Sequence, residues 1–152
     1  MKKLIVREKI TEDAKTENRY IQLGKILNEL EKRQLPQETT DYVDREIEQL
    51  NAISNDDKFF VKAIKEKENK IIKWIEKKHK IVPKSYYQTL WMILGMSAFG
   101  IPMGAAFGII MKNMGLLGIG LPIGMGVGVA FGAYLDKKAF TEGRQLDVEI
   151  KY

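Results

Sequence analysis

The sequence contains no cysteine and a single histidine, His79, among 152 residues. Without cysteine there can be no disulfide framework, no thiolate zinc site and no cysteine nucleophile. With one histidine there is no His-rich metal site, and a Ser-His-Asp triad would have to use His79. His79 sits among lysines and reads as an exposed helix-end residue rather than a pH sensor. Neither GxxxxGK[ST] nor a true GxGxxG loop occurs, and Gly124-Met-Gly126-Val-Gly128 matches a dinucleotide turn only in composition, being set within an apolar run. Carboxylates are plentiful before residue 87, but none is paired in an apolar setting suited to acid–base work. The expectation is a protein with no enzymatic activity, no cofactor and no metal.

Charge is the most unevenly distributed property. Residues 87–135 carry one charged side chain, Lys112, whereas residues 1–86 hold 20 Lys+Arg and 16 Asp+Glu, and residues 136–152 four of each sign. The averages of 45% hydrophobic and 30% charged residues conceal this division. Glycine follows it: 11 of the 13 glycines fall between Gly95 and Gly132. The net charge of +5 does not form a basic stripe, because acids and bases are interleaved along 1–86, and no nucleic-acid partner is expected. The N-terminal apolar run Leu4–Val6 is far too short for a signal-peptide core, so the charged half is expected in the cytoplasm.

Two uncharged stretches, Tyr86–Met111 and Asn113–Leu135, each exceed the roughly 20 residues needed to cross a hydrocarbon core of about 30 Å. They predict a transmembrane helical hairpin over 86–135, with spans near Thr89–Met111 and Leu116–Leu135 and a tight turn at Lys112-Asn113-Met114-Gly115. Lys77, Lys78, Lys80 and Lys84 precede the first span, and Lys137, Lys138 and Arg144 follow the second. Positive flanks favour the cytoplasm, which puts both termini inside. The Lys77–Lys84 cluster reads as a topology determinant and lipid anchor. Tyr86, Tyr87, Trp91 and Tyr134 fall at the same predicted interface, where amphipathic rings prefer to lie.

Glycine spacing supplies the candidate site. Gly100, Gly104 and Gly108 repeat every four residues in the first span, with Ser97 expected on the same face, and Gly120, Gly124, Gly128 and Gly132 repeat likewise in the second. Burial of apolar surface does not drive helices together in lipid, so small residues that admit close backbone approach are the expected contact face. Gly126, Ala130 and Ala133 lie roughly opposite on the second helix, so that one small face can pack on the first span and the other is left for another copy of the chain. Pro102 and Pro122 each remove an amide donor and are candidate hinges.

The charged half reads as helices. Tyr20, Leu23, Leu27 and Leu30 form a narrow seam ending before Leu35-Pro36. A second helix from Thr39–Thr40 carries Val43, Ile47 and Leu50. Ser54-Asn55-Asp56-Asp57 forms a break and cap, and a third helix with Phe60, Ile64, Ile71 and Ile75 on one face runs to Val82-Pro83. The seams suit mutual packing, or docking of a cytoplasmic protein partner. In the polar tail, Leu146, Val148, Ile150 and Tyr152 alternate as in a short strand, for which Leu4-Ile5-Val6 is a conceivable neighbour.

The pattern GxPxGxxxG, present at Gly100–Gly108 and Gly120–Gly128, together with the exit Gly132-Ala-Tyr-Leu-Asp-Lys-Lys and Glu142-Gly143-Arg144, resembles small bacterial glycine-zipper membrane proteins over about residues 90–145. The resemblance implies insertion in the bacterial inner membrane and tight helix packing, without enzymatic activity. The combined expectation is an all-α chain. A cytoplasmic helical bundle or coiled-coil stalk (1–85) joins a two-span hairpin (86–135) and a cytoplasmic tail (136–152). Its expected partners are membrane lipid and further copies of itself, in a pore or channel-like assembly controlled by the cytoplasmic helices. The competing expectation is a membrane-anchored adaptor.

Overall fold

The computed structural model describes residues 1–5, 14–54, 58–113, 115 and 117–150. The chain is mostly helical, and two of its helices are long and apolar enough to cross a membrane. It divides into two units, one of residues 1–83 with 146–152 and the other of residues 84–145.

The first unit packs α1 (Ala14–Glu31), α2 (Gln37–Asn51) and α3 (Lys58–His79). Helical periodicity selects its core: Leu23, Ile26 and Leu30 from α1, Val43, Ile47 and Leu50 from α2, and Phe60, Ile64, Ile71 and Ile75 from α3 are essentially inaccessible to solvent. Each such side chain contributes roughly 1.5–3 kcal/mol relative to exposure. The seams Tyr20–Leu30 and Phe60–Ile75 are therefore used within the unit. Tyr42 stacks on Trp74 with ring centroids 4.1 Å apart, and the Tyr20 hydroxyl donates to the Ile5 carbonyl at 2.8 Å. Pro36 immediately precedes α2, earlier than the Thr39–Thr40 start expected from sequence. The expected cap at Asn55-Asp56-Asp57 lies outside the described residues.

The third helix was expected to continue to Pro83, but it ends at His79. Lys80 takes a left-handed backbone (φ 57°), and Val82–Lys84 forms strand β1. A β-branched residue before proline avoids helical geometry and favours an extended one. Strand β1 pairs with β2 (Gln145–Glu149) in a two-stranded sheet. Residues 136–152 are thus not a separate tail. The second apolar helix continues to Thr141, and the chain then returns to the first unit, burying Leu146 and Val148 while Asp147 and Glu149 stay exposed. The alternation expected from sequence operates here, with β1 as partner. The Asn51 side chain instead brackets the N-terminal segment, accepting from the Ile5 amide at 3.2 Å and donating to the Lys3 carbonyl at 3.1 Å. Val6 and Tyr152 lie outside the described residues.

Two buried polar contacts tie the helices. Lys67 donates to Glu46 at 2.8 Å and to Gln49, joining α3 to α2. Glu68, 1% exposed, accepts from Gln22 at 2.6 Å, with Arg19 at 3.7 Å, joining α3 to α1. Burial pushes the Glu68 carboxyl above the usual glutamate value of 4.5, and the Gln22 bond and Arg19 charge pull it only part of the way back. The proton is therefore held more tightly in the folded state. The stability this contributes is complete below 4.5 and is lost as pH rises through the folded value. Glu68→Gln is expected to raise the stability of this unit at pH 8 by about 1 kcal/mol relative to wild type. The gain should be smaller at pH 5, as read from urea midpoints of the full chain in detergent. A difference independent of pH would show that Glu68 ionisation does not oppose folding.

Candidate functional site: the packed face of two apolar helices

The second unit consists of α4 (Tyr86–Ile110) and α5 (Leu117–Thr141). The helices run antiparallel with their glycines in contact. A Cβ built on Gly124 would lie 2.5 Å from the Gly100 nitrogen and from the Gly95 carbonyl oxygen. One on Gly120 would lie 2.6 Å from the Gly104 Cα, and one on Gly132 would lie 2.5 Å from the Gln88 Cα and the Tyr87 oxygen. A Cβ on Gly128 would meet the Trp91 carbonyl. Real Cβ atoms do not occupy such positions, so only glycine permits this approach. Gly104 and Gly108 are buried as well.

Large side chains take the opposite surface. Ile93, Phe99, Ile101, Ile109, Ile110, Ile119 and Val127 are all about half or more exposed. A helix pair with glycine inside and Ile, Phe and Val outside inverts the arrangement of a water-soluble bundle.

Ser97 was expected on the glycine face but lies exposed, its hydroxyl donating to the Ile93 carbonyl at 3.0 Å and the Leu94 carbonyl at 3.2 Å. The cause is a π-helical turn, Met96–Gly100, in which the Ile101 amide donates to the Met96 carbonyl five residues back. Pro102 has no amide to give Ala98, and its ring would crowd that carbonyl in a regular turn. The wider turn relieves both problems. It also resets the register, so the residue that joins Gly100, Gly104 and Gly108 on the packed face is Gly95. The sequence signal was a five-residue spacing ahead of a proline. Pro122 sits within α5 without such a turn; its missing amide falls opposite Gly118, in the first helical turn, where carbonyl bonding is readily adjusted. Both prolines are exposed on the outer surface.

At the other end of the pair, Asp136 of α5 reaches the N-terminus of α4. Its Oδ1 accepts from the Tyr87 amide at 3.1 Å and its Oδ2 from the Gln88 amide at 2.9 Å. Ser85, directly before α4, has a left-handed backbone and provides no side-chain cap, so the first-turn amides are satisfied from the neighbouring helix. Nothing local marks this role, because the partners are 48 and 49 residues away in sequence. The aromatic residues gather at the same end: Tyr86 meets Tyr87 edge-on at 5.3 Å, Trp91 meets Phe131 edge-on at 4.5 Å, and Tyr134 is 64% exposed. Lys84, Lys137 and Lys138 are exposed.

The remaining residues expected at a membrane interface belong to the first unit. Lys78 pairs with Glu38 at 2.9 Å and lies over the Trp74 ring, Lys80 pairs with Glu76 at 3.3 Å, and Lys77 is exposed. His79 shares a 2.7 Å hydrogen bond with the buried Thr39 hydroxyl rather than standing alone in solvent. In the turn, Lys112 adopts a left-handed backbone and the Asn113 side chain accepts from the Gly115 amide at 3.0 Å; Met114 lies outside the described residues. On α5, a Cβ on Gly126 would meet nothing within 4 Å, and Ala130 and Ala133 are exposed beside it. Among the described residues no three His, Asp or Glu side chains gather to hold a metal ion. No protein-family model, curated protein or solved structure matches the chain.

Proposed function

We propose that this is an integral membrane protein in which α4 and α5 cross the bilayer as a glycine-zipper hairpin, and that it self-associates through the remaining small-residue face of α5. The inverted distribution of side chains carries this reading. Two helices of 25 residues each carry their large apolar groups outward, where water would make them unfavourable and lipid makes them neutral. At about 1.5 Å per residue each is long enough for the hydrocarbon core. The chain leaves and re-enters the first unit through two hydrogen-bonded strands, β1 and β2, which supports emergence of both ends on one side. The concentration of lysines there favours the cytoplasmic side of a bacterial inner membrane.

The Gly120–Gly132 face of α5 is occupied by α4 of the same chain. The open face around Gly126 is then the one left for a second copy, and a closed ring of such hairpins would be channel-like, with the first unit as its regulatory part. The test is the mass of the full chain in nanodiscs by native mass spectrometry. A defined oligomer is expected for wild type, and Gly126→Ile is expected to reduce it to monomer with the helix pair intact. A wild-type monomer would overturn self-association and confine the glycines to packing within one chain. An oligomer broken by Gly126→Ile justifies conductance recordings in planar bilayers.

A further inference from the structure

Both acidic side chains of the second unit are already engaged. Asp136 is buried with its two oxygens on the Tyr87 and Gln88 amides, and Glu142 is paired with Arg144 at 2.7 Å. Beside them Lys137 and Lys138 are exposed, and among the described residues neither has an ion-pair partner. The carboxylate nearest to them in sequence is turned into the helix pair, so their charge faces outward uncompensated. The surrounding surface is apolar and aromatic, with Tyr134 at 64% and Phe140 at 68% exposure. The opposite end of the pair has only Lys112.

We propose that the end of the helix pair bearing Lys137 and Lys138 binds the headgroups of anionic phospholipids. Ammonium groups donate hydrogen bonds to phosphate as compact point charges, and an anionic leaflet attracts basic groups held at its surface. A soluble phosphate would use the lysines alone. A phospholipid uses the lysines through its headgroup and the exposed Tyr134, one turn nearer the apolar stretch, through its glycerol and acyl region. The inference rests on the membrane reading above. It differs from the sequence expectation in its residues, since Lys78 and Lys80 of the earlier cluster are paired within the first unit.

The test reconstitutes the full chain with equimolar phosphatidylglycerol and phosphatidylcholine and counts the retained lipids by native mass spectrometry. Wild type is expected to retain phosphatidylglycerol on the order of tenfold over phosphatidylcholine. Lys137→Ala with Lys138→Ala should bring the ratio near unity, Lys137→Arg with Lys138→Arg should preserve it, and Lys112→Ala should leave it unchanged. No preference in wild type, an unchanged preference in the double alanine variant, or equal loss in Lys112→Ala would each overturn the proposal. Alkaline carbonate extraction separates this failure from that of the membrane reading. A chain stripped from vesicles overturns both, whereas a chain that stays inserted without headgroup preference overturns this proposal alone.

Discussion

Gly128→Ala is expected to separate the two apolar helices, although it adds one methyl group. The added carbon would meet the Trp91 carbonyl oxygen and lie 2.7 Å from its carbonyl carbon. The obstacle is backbone, so no rotamer change can clear it, and the helices must move apart along much of their contact. Overpacking commonly costs about 1–3 kcal/mol, and an obstruction by main chain places Gly128 at or above the top of that range. Gly126→Ala is the matched control. Its Cβ enters open space, and alanine favours a helix over glycine by up to about 1 kcal/mol, so the change should be neutral or stabilising. Unfolding in mixed micelles by increasing sodium dodecyl sulfate reads the difference. The midpoint should fall sharply for Gly128→Ala and stay or rise for Gly126→Ala. Equal midpoints would mean that the helices do not meet on this face.

Asp136→Ala should fray the start of α4 from a position in the other helix. It removes both acceptors of the Tyr87 and Gln88 amides and leaves two donors in a largely buried site, each costing about 1–3 kcal/mol. Asp136→Asn keeps one acceptor oxygen but turns an amide NH2 toward the second donor, so its cost should lie between wild type and alanine. Hydrogen exchange at Tyr87 and Gln88 is the direct measurement. Protection should fall by one to two orders of magnitude in the alanine variant, following the energy, with Ile109 and Ile110 at the far end unchanged. Unaltered protection at Tyr87 and Gln88 would show that the carboxylate does not hold the helix end.

These two residues mark the boundary of what could be read in advance. Gly128 was legible because a four-residue glycine repeat is a local property of one helix, and small residues have one principal use in a lipid-facing pair. Asp136 was not, because its role depends on a helix terminus far away in sequence. Ser97 illustrates an intermediate case. Its regular helical spacing placed it on the packed face, but the π turn ahead of Pro102 added one residue to the register and brought Gly95 there instead.

The same division holds for the whole chain. Hydrophobic period, charge and residue size act over one or two helical turns, and they are enough to specify the two apolar helices, the charged helical half and the glycine faces. The return of the last strand to pair with Val82–Lys84, burying Leu146 and Val148 in the first unit, depends instead on long-range contacts. Tertiary structure also determined that Gly120–Gly132 is taken by the chain's own α4 while Gly126 remains open. These outcomes depend on which distant segments meet, because strand pairing and helix contact are satisfied by any geometrically suitable partner and local pattern does not specify which one.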